Sequence, residues 1–431
     1  MTPVQQDVGT DVELEVGPVA HGGHCVARHE GRVVFVRHAL PGERVRARLT
    51  DTGEDARFWR ADAVEVLEAS PDRVVPPCPF AGPGLCGGCD WQHAAPAAQR
   101  RLKADVVREQ LSRLAGLDLD VQVEPVDGPG VDVGAGLGWR TRVQLAATPD
   151  GRLGFRRHRS HDVQVVDDCL IASPGVRALG LPDEHWPGVS AVEAVVPAEG
   201  EDSLVLVTPA RPGRRPRLPR VDGAASVAVA GPEGAERLRG RTWVSEHVEL
   251  PGGGRDFRVT GSGFWQVHPG AARTLTAAVH EALAPRPGER ALDLYAGAGL
   301  FAASLAQQVG ADGSVLAVEG DARSVKDARR NLHDLPQVAV RQDRVDGRLG
   351  GAEAADVVVL DPPRTGARRA VVEAVAALGP RAVAYVACDP AALARDVAYF
   401  AAVGYVLRSV RAFDIFPQTS HVECVALLTP A

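Results

Sequence analysis

Long apolar runs are missing from this chain of 431 residues, and none approaches the roughly 20 apolar residues that a membrane-spanning helix needs. The first residues, Met1 to Asp7, lack the basic and apolar regions of a signal peptide. We therefore expect a protein of the cytoplasm with no membrane partner. Lysine is nearly absent too, since Lys103 and Lys326 are the only two, and arginine supplies almost all of the positive charge.

An excess of basic charge is also missing, because the formal net charge is −7. Nucleic-acid-binding proteins usually have a basic surface, so the overall charge argues mildly against such a partner. Two arginine clusters, Arg152 to His161 and Arg211 to Arg220, soften this argument. A cluster of this kind is more often a solvated face than a binding site, although the first one also carries Phe155.

The chain is long enough for two or three domains, and its apolar content of 45% is that of a globular protein. Residues 1–70 contain short β-rich runs separated by glycine-bearing turns, which predicts a small OB-like β-barrel. Residues 71–260 are β-rich apart from an apolar helical stripe at 95–116, a helix that could pack on the next domain. Residues 261–431 alternate apolar strands with helical stretches and predict a doubly wound α/β domain.

A glycine-rich turn follows an apolar strand at residues 291–301. Gly297 and Gly299 let the backbone come close to a ligand, and the helix that follows offers free amide donors at its N-terminus. The next strand ends in Glu319, and an acid at this distance from the glycines suits a ribose diol. Dinucleotide-binding folds share both features, so a dehydrogenase and a methyltransferase fit them about equally well.

Three short segments near the C-terminus follow apolar runs that read as strands: 361–364, 387–390 and, more weakly, 419–424. Each places polar residues at a strand's C-terminal end, where open α/β sheets bind ligands. The Asp-Pro-Pro-Arg of the first forms a rigid turn that suits gripping a flat ring and has no counterpart in hydride transfer. A thiol and a carboxylate in the others, Cys388 and Glu423, suit an enzyme that adds a sulfur to its substrate and later removes a proton.

These segments together resemble a known family in order and spacing, the S-adenosylmethionine-dependent RNA uracil-5-methyltransferases. The family makes 5-methyluridine in transfer RNA and in large-subunit ribosomal RNA. The resemblance rests on Phe264 to Pro269, Asp293 to Phe301, Glu319, Asp361 to Arg364, Cys388 to Pro390 and Glu423. His268 and Leu300 depart from it, since asparagine is usual in both places. Residues 22–43 resemble the TRAM module, an RNA-binding barrel.

The resemblance implies a covalent mechanism on a Rossmann-like methyltransferase domain, in a monomer that binds RNA, with ribosomal RNA favoured and transfer RNA possible. Cys388 would add to carbon 6 of uracil, and Glu423 would remove the carbon 5 proton. The helix after Cys388 would lower the pKa of its thiol, whereas Asp389 would raise it. His421 could relay the proton, although a structural role is as common. The resemblance also implies that Gln266, Tyr295, Glu319 and Asp361 contact S-adenosylmethionine. The glycine loop adds Gly297 and Gly299, and Asp343, at the end of the next strand, could meet the adenine amino group, although an acid after a strand is common.

Two other functions compete with this one. A methyltransferase that acts on an exocyclic nitrogen also uses an Asp-Pro-Pro segment, but an aromatic residue usually follows where this chain has Arg364. Such an enzyme would not need Cys388. An RNA-binding or assembly factor without catalysis would need neither Cys388 nor Glu423, so the presence of both disfavours it.

Four of the seven cysteines form a further candidate site: Cys78, Cys86, Cys89 and Cys169. In a cytoplasmic chain such a group indicates a metal more than disulfides. Spacing alone allows zinc or an iron–sulfur cluster. The resemblance favours a [4Fe–4S] cluster, which some ribosomal RNA members of the family contain, although the gap between Cys78 and Cys86 is longer here. Cys25 and Cys424 read as small buried residues.

Overall fold

The structure is a computed structural model that describes residues 8–53, 56–200, 202–221, 225–231 and 234–431. Its first sheet has the strand order β1-β4-β5-β3-β2. Backbone hydrogen bonds from Gly17 to Val26 (2.8 Å) and from Val26 to Pro18 (2.9 Å) bring its two edges together as a barrel. The strands are β1 (Asp11–Glu15), β2 (Cys25–His29), β3 (Arg32–Arg37), β4 (Arg44–Asp51) and β5 (Phe58–Glu68).

The next segment runs from the barrel to the centre of the molecule. It contains α1 (Pro96–Gln110), one π-helical turn (Leu111–Ala115) and β6 (Val123–Pro125). Both α1 and the π-helical turn pack against the C-terminal domain, since Val107 of α1 and Leu111 of the turn share an apolar cluster with Leu393 and Val397. Strand β6 pairs with the C-terminal sheet as its edge strand. This segment therefore packs with the C-terminal domain, although in the sequence it comes before the central sheet.

The central region is a seven-stranded sheet with the order β13-β12-β11-β10-β7-β8-β9, followed by a two-stranded ribbon. The sheet contains β7 (Arg142–Ala147), β8 (Leu153–Arg156), β9 (Val163–Val165), β10 (Val189–Val195), β11 (Leu204–Pro209), β12 (Ser226–Gly231) and β13 (Gly234–Arg239), with the short helix α2 (Pro174–Arg177) between β9 and β10. The ribbon pairs β14 (Trp243–Leu250) with β15 (Gly253–Thr260).

The C-terminal domain is built on an eight-stranded sheet with the order β18-β17-β16-β19-β20-β22-β21-β6. Strands β16 to β20 are parallel, and β22 and β21 extend the sheet in antiparallel pairing. Its elements are α3 (Ala271–Leu283), β16 (Arg290–Leu294), α4 (Leu300–Val309), β17 (Ser314–Glu319), α5 (Ala322–Asn331), β18 (Val338–Gln342), β19 (Val357–Leu360), α6 (Arg368–Ala377), β20 (Ala382–Ala387), α7 (Pro390–Ala402), β21 (Tyr405–Asp414) and β22 (Glu423–Pro430).

The strand order reverses between β16 and β19, because the chain first builds outward to β18 and then returns to the other side of β16. Helices cover both faces of the sheet, and all residues of β19 and β20 are buried, as continuous apolar runs require. Doubly wound sheets bind ligands outside the carboxyl ends of the strands at such a reversal. The predicted fold class is confirmed, and the crevice to examine lies at these strand ends. Among the described residues, no helix has the length and apolar character needed to cross a membrane.

Candidate active site

The glycine loop and Glu319 contact each other at the strand reversal. Gly297 and Gly299 have φ angles of 54° and 92°, which glycine adopts without strain. The backbone N–H of Gly297 donates to the Glu319 carboxylate (2.9 Å), and a second oxygen of that carboxylate accepts from the N–H of Asp321 (2.7 Å). The loop and the acid, 22 positions apart, therefore form one wall of the crevice.

Asp293 is a residue that the sequence reading did not single out as part of the site. It lies within β16 and is fully buried, and neither carboxylate oxygen makes a well-formed hydrogen bond with the described residues. Burial raises its pKa to about 8, and the nearby Asp361 and Glu319 add to the shift. An acid inside an otherwise apolar strand is the signal that could have found it, since a buried carboxyl needs a partner or a proton.

Tyr295, Asp343 and Asp361 lie at neighbouring strand ends. The N–H of Tyr295 donates to the carbonyl of Val318 (3.0 Å), that of Asp343 to Glu319 (3.0 Å) and that of Asp361 to Leu294 (3.2 Å). Together with the glycine loop, these backbone contacts bring together the residues predicted to contact the cofactor, apart from Gln266.

Gln266 lies before α3 rather than at a strand end. It is buried and borders a cavity that Thr141 and Glu246 also line. His268, where asparagine was expected, accepts a hydrogen bond from the N–H of Gly270 (3.1 Å) through Nδ1, and burial lowers its pKa to about 4. Leu300, the other departure, is buried in the apolar core at the start of α4.

The pairing of two antiparallel strands sets Cys388 beside Glu423. Ala387 ends β20 and pairs with Cys424, so Cys388, which directly follows β20, comes opposite Glu423 at the start of β22. Glu423 pairs with Phe413 on its other side and is only 3% exposed. The thiol and the buried carboxyl are thus neighbours at the same edge of the sheet.

Burial raises the pKa of the Cys388 thiol to about 12. The nearby carboxyls of Glu423 and Asp361 add to this shift, and the Arg364 guanidinium opposes it. Burial and Asp361 also raise the pKa of Glu423 well above its ordinary value, and burial raises that of Asp361 to about 7. The net shift of the thiol is opposite to the one that the N-terminus of α7 alone would give. Burial and three carboxyls, including Asp389, outweigh that helix.

The loop before Glu423 is held by the chain that follows the cysteine group. The N–H groups of Asp90 and Trp91 both donate to the Gln418 carbonyl (3.0 and 3.1 Å). The Asp90 carboxylate accepts from the N–H (3.0 Å) and the hydroxyl (3.1 Å) of Ser420. His421, in the same loop, packs edge-on against Phe416 with ring centroids 5.9 Å apart. Residues far apart in sequence therefore fix the approach to Glu423.

The four cysteines predicted as one group border a single small cavity: Cys78, Cys86, Cys89 and Cys169. All are free thiols, and burial raises the pKa of each, with neighbouring members of the group adding to the shift of Cys89. The Gly88 N–H donates to the Cys86 sulfur (3.4 Å) and the Gln92 amide to the Cys89 sulfur (3.2 Å). Across the described ranges, no three His, Cys, Asp or Glu side chains are arranged to hold a metal ion.

A basic groove lies between the barrel and the β8–β9 hairpin. Its lining has four arginines, two aspartates and three rings: Arg37, Arg60, Arg157, Arg159, Asp51, Asp62, His24, Phe35 and His158. The arginines outnumber the carboxylates, so the groove keeps a positive balance. The second cluster, at 211–220, lies in an exposed stretch without regular secondary structure. The first cluster therefore contributes to a concave surface of the described residues.

Three families match the chain: the TRAM domain at residues 5–64, protein-L-isoaspartate(D-aspartate) O-methyltransferase at 269–359 and tRNA (uracil-5-)-methyltransferase at 338–431. An uncharacterized RNA methyltransferase of Streptomyces coelicolor is 53% identical over 98% of this chain and 94% of its own length. The 23S rRNA (uracil(1939)-C(5))-methyltransferase RlmD of Chromohalobacter salexigens is 35% identical over 99% of this chain and 90% of its own.

Among solved structures, the tRNA (uracil-54, C5)-methyltransferase of Pyrococcus abyssi superimposes with a TM-score of 0.71. It is 22% identical and covers 97% of this chain and 100% of its own, which shows that the two proteins share a fold. The resemblance found in the sequence is confirmed by the family matches and by the identity to the relatives. The chain belongs to the S-adenosylmethionine-dependent RNA uracil-5-methyltransferases that carry a TRAM domain.

Proposed function

We propose that this enzyme methylates carbon 5 of a uridine in 23S ribosomal RNA through a transient bond between the Cys388 sulfur and carbon 6. The observation that carries this proposal is the strand register that sets Cys388 beside Glu423, with Asp361 nearby. Carbon 5 of uracil is too weak a nucleophile to take a methyl group unaided, whereas an exocyclic nitrogen needs no thiol. The presence of this thiol and carboxyl favours the carbon.

Bound S-adenosylmethionine supplies the methyl group. The crevice fits it, because Gly297 has open space where a Cβ would stand and Glu319 is fixed beside that space. A carboxylate there can accept hydrogen bonds from ribose hydroxyls. The residues that we assign to binding are Gln266, Tyr295, Gly297, Gly299, Glu319, Asp343 and Asp361, to which we add the buried carboxyl of Asp293.

Cys388 and Glu423 divide the remaining chemistry. The Cys388 thiolate adds to carbon 6, and the electron pair of the 5,6 double bond is delocalised as an enolate that makes carbon 5 nucleophilic. After carbon 5 has taken the methyl group, Glu423 removes its proton. That electron pair re-forms the double bond, and the carbon–sulfur bond breaks with its electrons returning to Cys388. Its raised pKa suits Glu423 to this step, since such a carboxylate binds a proton tightly.

RNA binding is assigned to the barrel at residues 1–70 together with the basic groove, and methyl transfer to residues 261–431. A uridine in a paired stem cannot reach the crevice, so the target must lie in a loop or be flipped out. Ribosomal RNA is favoured over transfer RNA because relatives named 23S rRNA methyltransferases match over nearly the whole chain. Mapping 5-methyluridine in both RNAs from a deletion strain tests this choice. Loss from transfer RNA alone would reverse it.

We further propose that Cys78, Cys86, Cys89 and Cys169 hold a [4Fe–4S] cluster. The four sulfurs surround one cavity, and two of them already accept hydrogen bonds, as ligand thiolates do. Four thiolates around a cubane stand further apart than four around one zinc ion. The cavity that all four cysteines line supports a shared site, and the choice of a cluster over zinc rests on the family resemblance.

Replacing the thiol tests the covalent mechanism. Cys388→Ala should still bind S-adenosylmethionine, measured by calorimetry, but should lose methyl transfer to RNA by at least about a thousandfold, as removal of a nucleophile does. Cys25→Ala is a matched control, because it removes a buried free thiol from the barrel instead. Turnover by the Cys388→Ala variant near the wild-type rate would refute the mechanism.

A further inference from the structure

The barrel touches the active site through the loop between β1 and β2. His21 in this loop places Nε2 3.1 Å from the carboxylate of Asp389, across 368 positions of sequence. Both side chains are partly exposed, 41% for His21 and 24% for Asp389. Asp389 directly follows Cys388, so a barrel residue contacts the neighbour of the proposed nucleophile.

Two further contacts hold this loop in place. The indole N–H of Trp91 donates to the Gly23 carbonyl (3.0 Å). Gly23 has a φ of 81° and packs so closely that a Cβ there would lie 2.4 Å from the Cβ of Ser420. Only glycine fits this position. His21 therefore stands two residues from an anchored point, on a loop tied to the segment that precedes Glu423.

Asp389 has two roles that oppose each other. Its side chain caps α7 by accepting from the N–H of Ala392 (2.8 Å). Its negative charge also disfavours ionisation of the adjacent Cys388 thiol. A positive charge paired with Asp389 would keep the cap while reducing its effect on the thiol.

We propose that His21 is a positioning residue of the active site, whose positive charge pairs with Asp389 and so favours the thiolate of Cys388. The proposal rests on the role proposed for Cys388. It makes the barrel part of the catalytic unit, because thiol ionisation then depends on the docked β1–β2 loop.

The charges around His21 set the pH range of the effect. The hydrogen bond to Asp389 raises the pKa of His21, Glu109 adds to the rise, and Arg113 opposes it together with burial. Burial opposes ionisation of Asp389, but the bond from His21 leaves its pKa below the usual value. His21 therefore keeps its positive charge to a higher pH than an ordinary imidazole does, and the pair loses its positive member as the pH rises above the raised pKa of His21.

Alkylation of the thiol measures this effect without RNA or cofactor. Iodoacetamide modification of Cys388, followed by mass spectrometry of its peptide, reports the thiolate fraction. His21→Gln should slow the reaction about three- to tenfold near pH 7, the size expected when one partly exposed charge beside the thiol loses its partner. The difference from wild type should shrink at high pH, where His21 is already neutral. His21→Lys, which restores the charge, should restore the rate.

A double-mutant cycle separates the effect of the His21 charge on the Cys388 thiol from any change in how easily iodoacetamide reaches that thiol. Asp389→Asn retains a good helix cap and should speed alkylation, and adding His21→Gln to it should change little further. His333→Gln, which alters an exposed histidine 3.8 Å from Asp334, is the control and should have no effect. Equal slowing by His21→Gln in the wild-type and Asp389→Asn backgrounds, or none in either, would overturn the proposal. Neither outcome depends on whether Cys388 is the nucleophile, which the Cys388→Ala variant decides.

Discussion

Glu423 lies in a buried site where a carboxyl group holds a proton more tightly than it does in water. Glu423→Gln keeps the shape of the side chain but cannot accept the carbon 5 proton. We expect this variant to transfer one methyl group and then stall with RNA attached to Cys388. The measurement is an RNA–protein adduct that survives denaturing gel electrophoresis and contains labelled methyl.

Glu193→Gln is the control for this variant, because burial on β10 also raises the pKa of Glu193, which lies in the central sheet. It should turn over normally and accumulate no adduct. If Glu423→Gln also turned over at the wild-type rate without an adduct, the base would lie elsewhere, and His421 would be the next residue to replace.

At the residue scale, the sequence predicts a role for Cys388 from its place between an apolar run and a helix, and a role for Glu423 almost wholly from the family resemblance. The sequence also predicts a strand's C-terminal end for both residues, but Glu423 begins β22. It could not reveal their contact, which depends on the register of β20 and β22. His21 was out of reach altogether, since nothing in the β1–β2 loop indicates a partner 368 positions away. The sequence does allow Asp293 to be predicted as a site residue, because an aspartate inside an apolar strand would be buried and would need a partner or a proton.

Asp396 of α7 holds the start of α6, which follows the Asp-Pro-Pro-Arg turn in the chain. This buried carboxylate accepts hydrogen bonds from the N–H of Ala367 (2.7 Å) and from the hydroxyl of Tyr385 (2.6 Å). The same hydroxyl accepts from the N–H of Ala367 (3.0 Å). The helix that begins beside Cys388 is thereby tied to Ala367, three residues after the turn at 361–364, which links the chain that follows β19 to the chain that follows β20.

Tyr385→Phe removes the hydroxyl from this network. We expect a loss of about 1–2 kcal/mol in the free energy of unfolding, from urea titration, because buried hydrogen-bond partners are left with fewer contacts. Turnover should also fall several-fold. Tyr405→Phe is a matched control, since its hydroxyl is buried and donates to the Pro380 carbonyl (2.8 Å) at the opposite end of β20. It should lose similar stability and keep its turnover, and equal turnover in both variants would argue against a positioning role.

At the element scale, sequence patterns located β20 well, because the run from Ala382 to Ala387 is apolar throughout. The helix after Cys388 was also expected, and in the structure it spans Pro390–Ala402. The position of β6 was not predictable. It has three residues and pairs with β21 at the far edge of the C-terminal sheet, so its place follows from tertiary packing rather than from local pattern.

The fold gathers positive charge in the basic groove although the net charge of the chain is −7. Arg157→Ala with Arg159→Ala should weaken RNA binding and reduce the slope of log K against log salt by about 1–2, since each phosphate contact contributes roughly one unit. Arg211→Ala with Arg214→Ala, in the exposed second cluster, removes equal charge as a control. Equal effects of both pairs would indicate a general charge effect and not a binding groove.

The cysteine group and the active site are joined by one short segment. Cys89 is followed at once by Asp90 and Trp91, which hold the loop at 418–420 that leads to Glu423. Convergence of Cys169 with the other three could be suspected from composition, but this link could not, because it consists of backbone contacts between distant segments. The cysteine site should therefore stiffen the loop beside Glu423, the carboxyl proposed as the base.

Cys89→Ser should lower the iron content of anaerobically purified protein and its absorbance near about 400 nm, as loss of a cysteine ligand implies. It should also speed hydrogen exchange of the Ser420 amide by about tenfold or more, because local protection depends on the hydrogen bonds that are loosened. Exchange in β17, which three strands of the sheet separate from β22, serves as the internal control. Asp90→Asn should speed the same amide while retaining iron. Loss of iron with unchanged exchange at Ser420 would mean that the cysteine site does not stabilise the loop. Stoichiometric zinc in colourless wild-type protein would show that the site holds a single zinc ion and not a cluster.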